Sequence, residues 1–119
     1  MKGKRKPEDH VFEAAAELFA VLSTPVRLKI ISAVCNAEKN VSELLQEIDT
    51  TQPNISQHLS MLYRSGILAK RREGTQVYYR VQSKRVADLC RVVCTQVAVE
   101  LDADTPPKPA ERLVSPAQR

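Results

Sequence analysis

Residues 51–59 read Thr-Gln-Pro-Asn-Ile-Ser-Gln-His-Leu, and this stretch decides the fold. Thr51 can accept a hydrogen bond from the first turn of a helix, and Pro53 suits that turn because its missing amide hydrogen would have no partner there. Apolar residues recur at helical spacing behind this start. The pattern predicts a helix over residues 51–64, with Gly66 just past its end.

The segments on either side of this helix complete a larger motif. Residues 41–48 (VSELLQEI) predict a short helix, so that two helices are joined by a tight polar turn, which is typical of a helix-turn-helix. After residue 66 the period changes to two, and residues 67–72 and 75–81 predict two strands joined by a turn at Gly74. A basic hairpin directly after a helix-turn-helix is a wing. The sequence therefore predicts a mainly α, winged helix-turn-helix fold with a small β-hairpin.

Three further helices are predicted outside this motif, over residues 8–22, 25–35 and 84–101, and Thr24 can cap the second of them. The polar residues 36–40 are predicted to form a break. We expect the second helix to bury Leu28, Ile31, Val34 and Cys35. Apolar residues of the last helix form a seam that could face a partner helix, namely Val86, Cys90, Val93, Val97 and Leu101.

A chain of 119 residues is long enough for one domain. We assign residues 1–7 to a basic tail, residues 8–101 to the DNA-binding and dimerisation domain, and the proline-rich residues 102–119 to a disordered tail. The sequence has neither an apolar run long enough to span a membrane nor a signal-peptide pattern, so we expect a cytoplasmic protein without a membrane partner.

Positive charge is concentrated rather than spread. The net charge is +4, yet residues 64–85 contain seven basic residues against one acid, Glu73. This distribution favours binding to a polyanion such as double-stranded DNA, whereas an ordinary solvated surface intersperses both signs.

The helix over residues 51–64 supplies the short and amide side chains that hydrogen-bond base edges in a major groove. The alternative is a polar face exposed only to solvent. The predicted DNA-binding residues are Thr51, Gln52, Asn54, Ser56, Gln57, His58 and Arg64 on this helix, and Arg71, Arg72 and Arg80 of the wing, which we expect to meet mainly phosphates.

Several short motifs in order resemble the ArsR/SmtB family of bacterial and archaeal winged-helix repressors. They are residues 22–28 (LSTPVRL), 41–44 (VSEL), 52–59 (QPNISQHL), 66–68 (GIL) and 77–80 (VYYR). The resemblance covers about residues 10–100. It implies a homodimer formed through the terminal helices, a palindromic operator, and release from DNA when an inducer binds.

The metal sites of this family are not matched in the chain. The arsenic-type site would place cysteines at Asn40 and Ser42, and the zinc-type site needs histidine on the last helix, where residues 84–101 have none. We therefore expect neither of these metal sites and no cofactor.

Three cysteines remain as candidate sensor thiols: Cys35, Cys90 and Cys94. Each could simply be a small buried apolar residue. Residues 93–96 resemble the second cysteine motif of the sulfur-responsive branch of the family, whose first cysteine would fall at Ser32 and is displaced here to Cys35. The partner of Cys35 could be Cys94 or, if the two helices run antiparallel, Cys90 one turn earlier. The resemblance implies release by reactive sulfur or oxidants. The alternative is an arsenite- or antimonite-responsive repressor in which the same three thiolates bind As(III) or Sb(III) as inducer.

Two other classes of protein are less well supported. A thiol oxidoreductase would need a C-x-x-C motif, which the chain lacks, so we predict that the protein is not an enzyme. A winged helix that binds only protein would show no salt-dependent binding to duplex DNA, and that measurement separates it from a repressor.

Overall fold

The computed structural model describes residues 6–102. Within them lie five helices: α1 (Asp9–Val21), α2 (Pro25–Val34), α3 (Val41–Glu47), α4 (Gln52–Arg64) and α5 (Lys84–Asp102). Strands β1 (Lys39–Asn40), β2 (Leu68–Glu73) and β3 (Gln76–Val81) form an antiparallel sheet in the order β1-β3-β2. The predicted mainly α fold, with α3 and α4 as the helix-turn-helix and β2 and β3 as the wing, is confirmed. Most of the two predicted tails, at 1–7 and 102–119, lies outside the described residues.

The helix starts depend on side-chain caps. Thr24 Oγ1 accepts a hydrogen bond from the Arg27 amide (3.1 Å), and Thr51 Oγ1 accepts one from the Asn54 amide (3.3 Å). Both caps were predicted. At α3, Asn40 and Glu43 form a reciprocal capping box, with bonds of 2.8 and 2.9 Å. The start of α4 is thus fixed by local chemistry.

Strand β1 corrects the prediction that residues 36–40 form only a break. Lys39 and Asn40 pair with Tyr79 and Tyr78 of β3, and Asn40 Nδ2 donates to Gln76 Oε1 (3.3 Å). Two residues cannot display a period of two, so the sequence carried no signal for this strand. It forms because β3 offers a free hydrogen-bonding edge.

The core is aliphatic and gathers around α2, which contacts α3, α4, α5 and β3. Because several faces of α2 are covered, the prediction of one buried stripe was partly wrong. Ile31 and Val34 are buried as predicted, and so is Ile30, whereas Leu28 and Cys35 are only half-buried. The buried side chains of α4 are Ile55, Leu59 and Leu62. They hold the opposite face of α4 toward solvent.

Two helices leave apolar side chains uncovered. No residue of α1 is buried, and Val11, Phe12 and Phe19 are each more than 60% exposed. In α5, Val86 and Cys90 pack into the core, whereas every residue from Arg91 to Asp102 is exposed. The predicted seam therefore divides, with its first two members packing on the chain's own core. No described helix is both long and apolar enough to cross a membrane.

Candidate nucleic-acid interface and cysteine cluster

The exposed face of α4 borders a cleft of about 520 Å³. Its lining residues are Arg27, Asn54, Ser56, Gln57, His58, Ser60, Met61 and Arg64. Five of the predicted DNA-binding residues therefore line one surface. Thr51 and Gln52 lie at the start of the helix outside this lining, and Arg27, Ser60 and Met61 were not predicted.

At the start of α4, the side chains of Thr51 and Asn54 already have partners in the protein. Thr51 caps α4. Asn54 Nδ2 donates to Thr50 Oγ1 (2.7 Å), which uses one of its two amide hydrogens and leaves the other hydrogen and the carbonyl oxygen for a base edge. Bidentate pairing with adenine thus remains chemically available to Asn54.

His58 is half-buried and tied to α2. Its Nδ1 accepts a hydrogen bond from Arg27 Nε (3.0 Å), and the Arg27 NH1 group donates to the Val21 carbonyl (2.9 Å). Burial, followed by the charge of Arg27, lowers the pKa of His58 below its ordinary value. The imidazole is therefore neutral at pH 7.

Strand alternation divides the basic residues of the wing between its two faces. Arg71 stands opposite Tyr78 and shares a face with Arg80. Arg71 donates to Glu38 (2.8 Å) and Glu73 (2.6 Å), and these hydrogen bonds raise its pKa. The Arg80 Nε atom lies 3.9 Å from Glu38. On this face the carboxylates already neutralise much of the positive charge.

The other face of the wing continues toward α4. Lys70 and Arg72 point to this side, opposite Tyr79 and Val77, and Lys70 Nζ lies 4.3 Å from the centre of the Tyr63 ring. Arg72 is exposed and forms no ion pair with any residue of the described part of the chain. The sequence analysis gave Arg71, Arg72 and Arg80 the same role, whereas the fold places Arg72 on a different face from the other two.

The three cysteines are free thiols near the contact between α2 and α5. Cys35 is half-buried, and its Sγ donates to the Ser32 carbonyl (3.3 Å). Hydrogen bonding to Asp88 raises the pKa of Arg91, and the neighbouring Cys35 contributes in the same direction. The Arg91 guanidinium thus lies close to the Cys35 thiol.

The two cysteines of α5 differ in environment. Cys90 is buried, and burial together with the nearby Cys94 raises its pKa. Cys94 is exposed and lines a cleft of about 450 Å³ with residues of α2 that include Ser32. Cys35 lies near Arg91, and Ser32, one turn earlier in α2, lies near Cys94, one turn later in α5. The two helices therefore run antiparallel at this contact. Over residues 6–102, no three His, Cys, Asp or Glu side chains are grouped so that they could share a metal ion.

Comparison with known proteins gives three findings. The family model described as "Bacterial regulatory protein, arsR family" matches residues 24–70. The biofilm growth-associated repressor of Xylella fastidiosa strain Temecula1 is 39% identical over 85 residues, which cover 68% of this chain and 75% of that protein. The probable mercury resistance operon repressor of Streptomyces lividans is 33% identical over 96 residues, which cover 78% of this chain and 77% of that protein.

The fold has a close counterpart among solved structures. A homodimeric winged helix-turn-helix DNA-binding domain from Mycobacterium bovis superposes with a TM-score of 0.71 at 24% identity, covering 91% of this chain and all of that one. The arrangement of helices and wing described above is therefore that of a winged helix-turn-helix.

Proposed function

The chain belongs to the arsR family of bacterial regulatory proteins and is a transcriptional repressor, and from this premise we propose that it binds a palindromic operator as a homodimer and is released by reactive sulfur or oxidants at its cysteines. The observation that supports DNA reading best is the exposed face of α4, where five polar or basic side chains line one cleft. Such side chains at the start of a helix are those that pair with base edges.

The role of Gln57 tests direct reading of bases. Gln57→Ala is expected to cost about 1–3 kcal/mol on a duplex enriched by the wild-type chain from a random library, and little on unselected DNA, because a bidentate amide contact discriminates between bases. Fluorescence anisotropy at fixed salt measures both affinities.

The matched control for Gln57 is Gln46→Ala, which removes an exposed glutamine from α3. We expect it to bind both duplexes as the wild type does. Equal losses on selected and unselected DNA for Gln57→Ala would contradict direct reading by this residue.

The two faces of the wing give a second prediction. Arg72→Ala is expected to weaken binding to every duplex and to reduce the slope of log affinity against log salt by about one, because one phosphate contact is lost. Arg71→Ala serves as the matched control, since Glu38 and Glu73 already pair with that guanidinium. Its slope should change by less than half as much. Equal slope changes for the two variants would show that the ion pairs do not survive on DNA.

The sensor proposal is supported by the environments of the three thiols. Cys94 is exposed and can reach a reagent from solvent, whereas the Cys90 thiol is buried with a raised pKa. Cys35 lies beside the cation of Arg91 on the neighbouring helix. We therefore assign the first reaction to Cys94 and the closing step to Cys35. Formation of the disulfide removes two protons and two electrons from the thiols, and the polysulfide takes them up as one of its S–S bonds is cleaved.

The second candidate is a metalloid-responsive repressor. The similarity to a protein named as a probable mercury resistance operon repressor favours it, because soft thiolates select soft ions. Mass spectrometry separates the two. Treatment with polysulfide should lower the mass by two hydrogens or add sulfur, and treatment with arsenite should add arsenic only if the alternative holds.

A further inference from the structure

Arg27 connects three helices through one guanidinium. It lies in the first turn of α2, and its NH1 group donates to the Val21 carbonyl at the end of α1. Its Nε donates to His58 Nδ1 in the middle of α4, 31 residues away in the sequence. Arg27 and His58 also line the same cleft as Asn54, Ser56 and Gln57.

The direction of this bond fixes the state of the imidazole. A nitrogen that accepts a hydrogen bond from arginine carries no proton, because arginine is always a donor. In a neutral imidazole the proton then lies on Nε2. His58 is thus held in one tautomer, with Nδ1 engaged inside the protein and an N–H donor on the other side of the ring.

We propose that Arg27 is a positioning residue that holds His58 as a neutral Nε2–H donor, so that His58 favours duplex positions which present a hydrogen-bond acceptor. In the major groove these are guanine N7 and O6, adenine N7 and thymine O4, whereas cytosine presents only a donor. This proposal rests on the proposed recognition of bases by α4. It adds that one side chain of α4, His58, selects bases that present a hydrogen-bond acceptor.

The charges around His58 favour the same neutral state. Among the residues that line the cleft, the charged ones are Arg27 from α2 and Arg64 from α4, and both are cations. Protonation at Nδ1 would replace the accepted hydrogen bond by two facing donors. The lowered pKa of His58 agrees with this arrangement. Acidification is therefore expected to break the Arg27–His58 bond rather than strengthen it.

The first measurement needs no DNA. The chain has only two histidines, His10 and His58, and His10→Gln assigns their signals. In long-range ¹H–¹⁵N spectra of the wild type at pH 7.5, His58 should show an unprotonated Nδ1 and a protonated Nε2. In Arg27→Ala, the titration midpoint of His58 should rise toward the ordinary value of 6.5 and the single tautomer should be lost. An unchanged tautomer and midpoint in Arg27→Ala would overturn the positioning role.

The second measurement uses duplexes enriched from a random library by the wild-type chain and by Arg27→Lys. Lysine keeps the positive charge but lacks the planar fork that reaches both Val21 and His58. If Arg27 positions His58, Arg27→Lys and His58→Ala should relax the same base position, with discrimination there falling about tenfold.

The outcomes distinguish failure of the positioning role of Arg27 from failure of the proposed DNA recognition by α4. In one outcome, Arg27→Lys discriminates between bases as the wild type does, while Arg27→Ala binds all duplexes equally more weakly. That result would make Arg27 a phosphate contact and overturn its role in positioning His58. Because cytosine pairs with guanine, which presents acceptors in the same groove, the preference is tested by removing the acceptor: undiminished affinity for a duplex whose purine at the relaxed position is a 7-deaza analogue, which lacks N7, would overturn an N7 contact. If the wild type enriched no duplex, the proposed DNA reading would fail, while the tautomer measurement would still decide whether Arg27 holds His58.

Discussion

A variant that carries both Phe12→Glu and Val97→Glu is expected to be monomeric and to lose operator affinity by about 100-fold or more. Phe12 of α1 is 69% exposed and Val97 of α5 is 45% exposed in the single chain. Burial of such side chains against a second copy contributes about 1.5–3 kcal/mol each, and a carboxylate at the same place would have to be desolvated.

The loss of affinity follows from the geometry of a palindrome. A dimer places two recognition helices on half-sites about one helical turn apart, and the second contact gains from the effective concentration set by the first. A monomer retains only one half-site. Analytical ultracentrifugation should give the mass of one chain, 13.3 kDa, for the variant and twice that for the wild type.

The control for this variant is Gln46→Glu, which adds a negative charge on the exposed surface of α3. It should remain dimeric. Circular dichroism should show the same helix content in all three proteins, because the substituted side chains do not contribute to the core of the single chain. A dimeric double variant would mean that the uncovered faces of α1 and α5 are not the interface.

Local signals predicted most of the fold. The caps at Thr24 and Thr51, the turn glycines and the change of period after residue 66 act within a few residues, so the sequence carries them directly. Gly74 adopts φ +64°, as its place in the hairpin turn requires. From such local signals, the ends of every described helix and of both wing strands were predicted to within about two residues.

What the sequence could not supply is set by distant contacts. The partner of His58 is 31 residues away, and Glu38 meets Arg71 from a segment predicted as a break. Strand alternation already separates Arg71 from Arg72, but only the fold shows that the face of Arg71 meets Glu38 while the face of Arg72 continues toward α4. These features decide which predicted DNA contacts are free to bind, and only the tertiary arrangement reveals them.

Oxidation by polysulfide is expected to weaken operator binding by the reduced wild type about 5- to 150-fold, and dithiothreitol should restore it. A bridge from Cys35 to Cys94, or to Cys90 one turn earlier, would join α2, which contacts α4, to α5. Binding free energy changes only if the bridged dimer has a different geometry, and α5 is the helix that we assign to the interface. Anisotropy titrations before and after treatment measure the change.

Cysteine variants test each part of the switch. Cys35→Ser and Cys94→Ser should bind DNA when reduced, because that state contains no bridge, and neither should respond to polysulfide. Cys90→Ala keeps an apolar side chain at the buried position and identifies the partner, since it should respond as the wild type does if Cys94 pairs with Cys35 and should lose the response if Cys90 does. If Cys35→Ser and the double variant Cys90→Ser/Cys94→Ser were both released as readily as wild type, the switch would lie elsewhere. Release by arsenite but not by polysulfide would select the metalloid alternative, since two or three thiolates can ligate a soft trivalent ion without losing electrons.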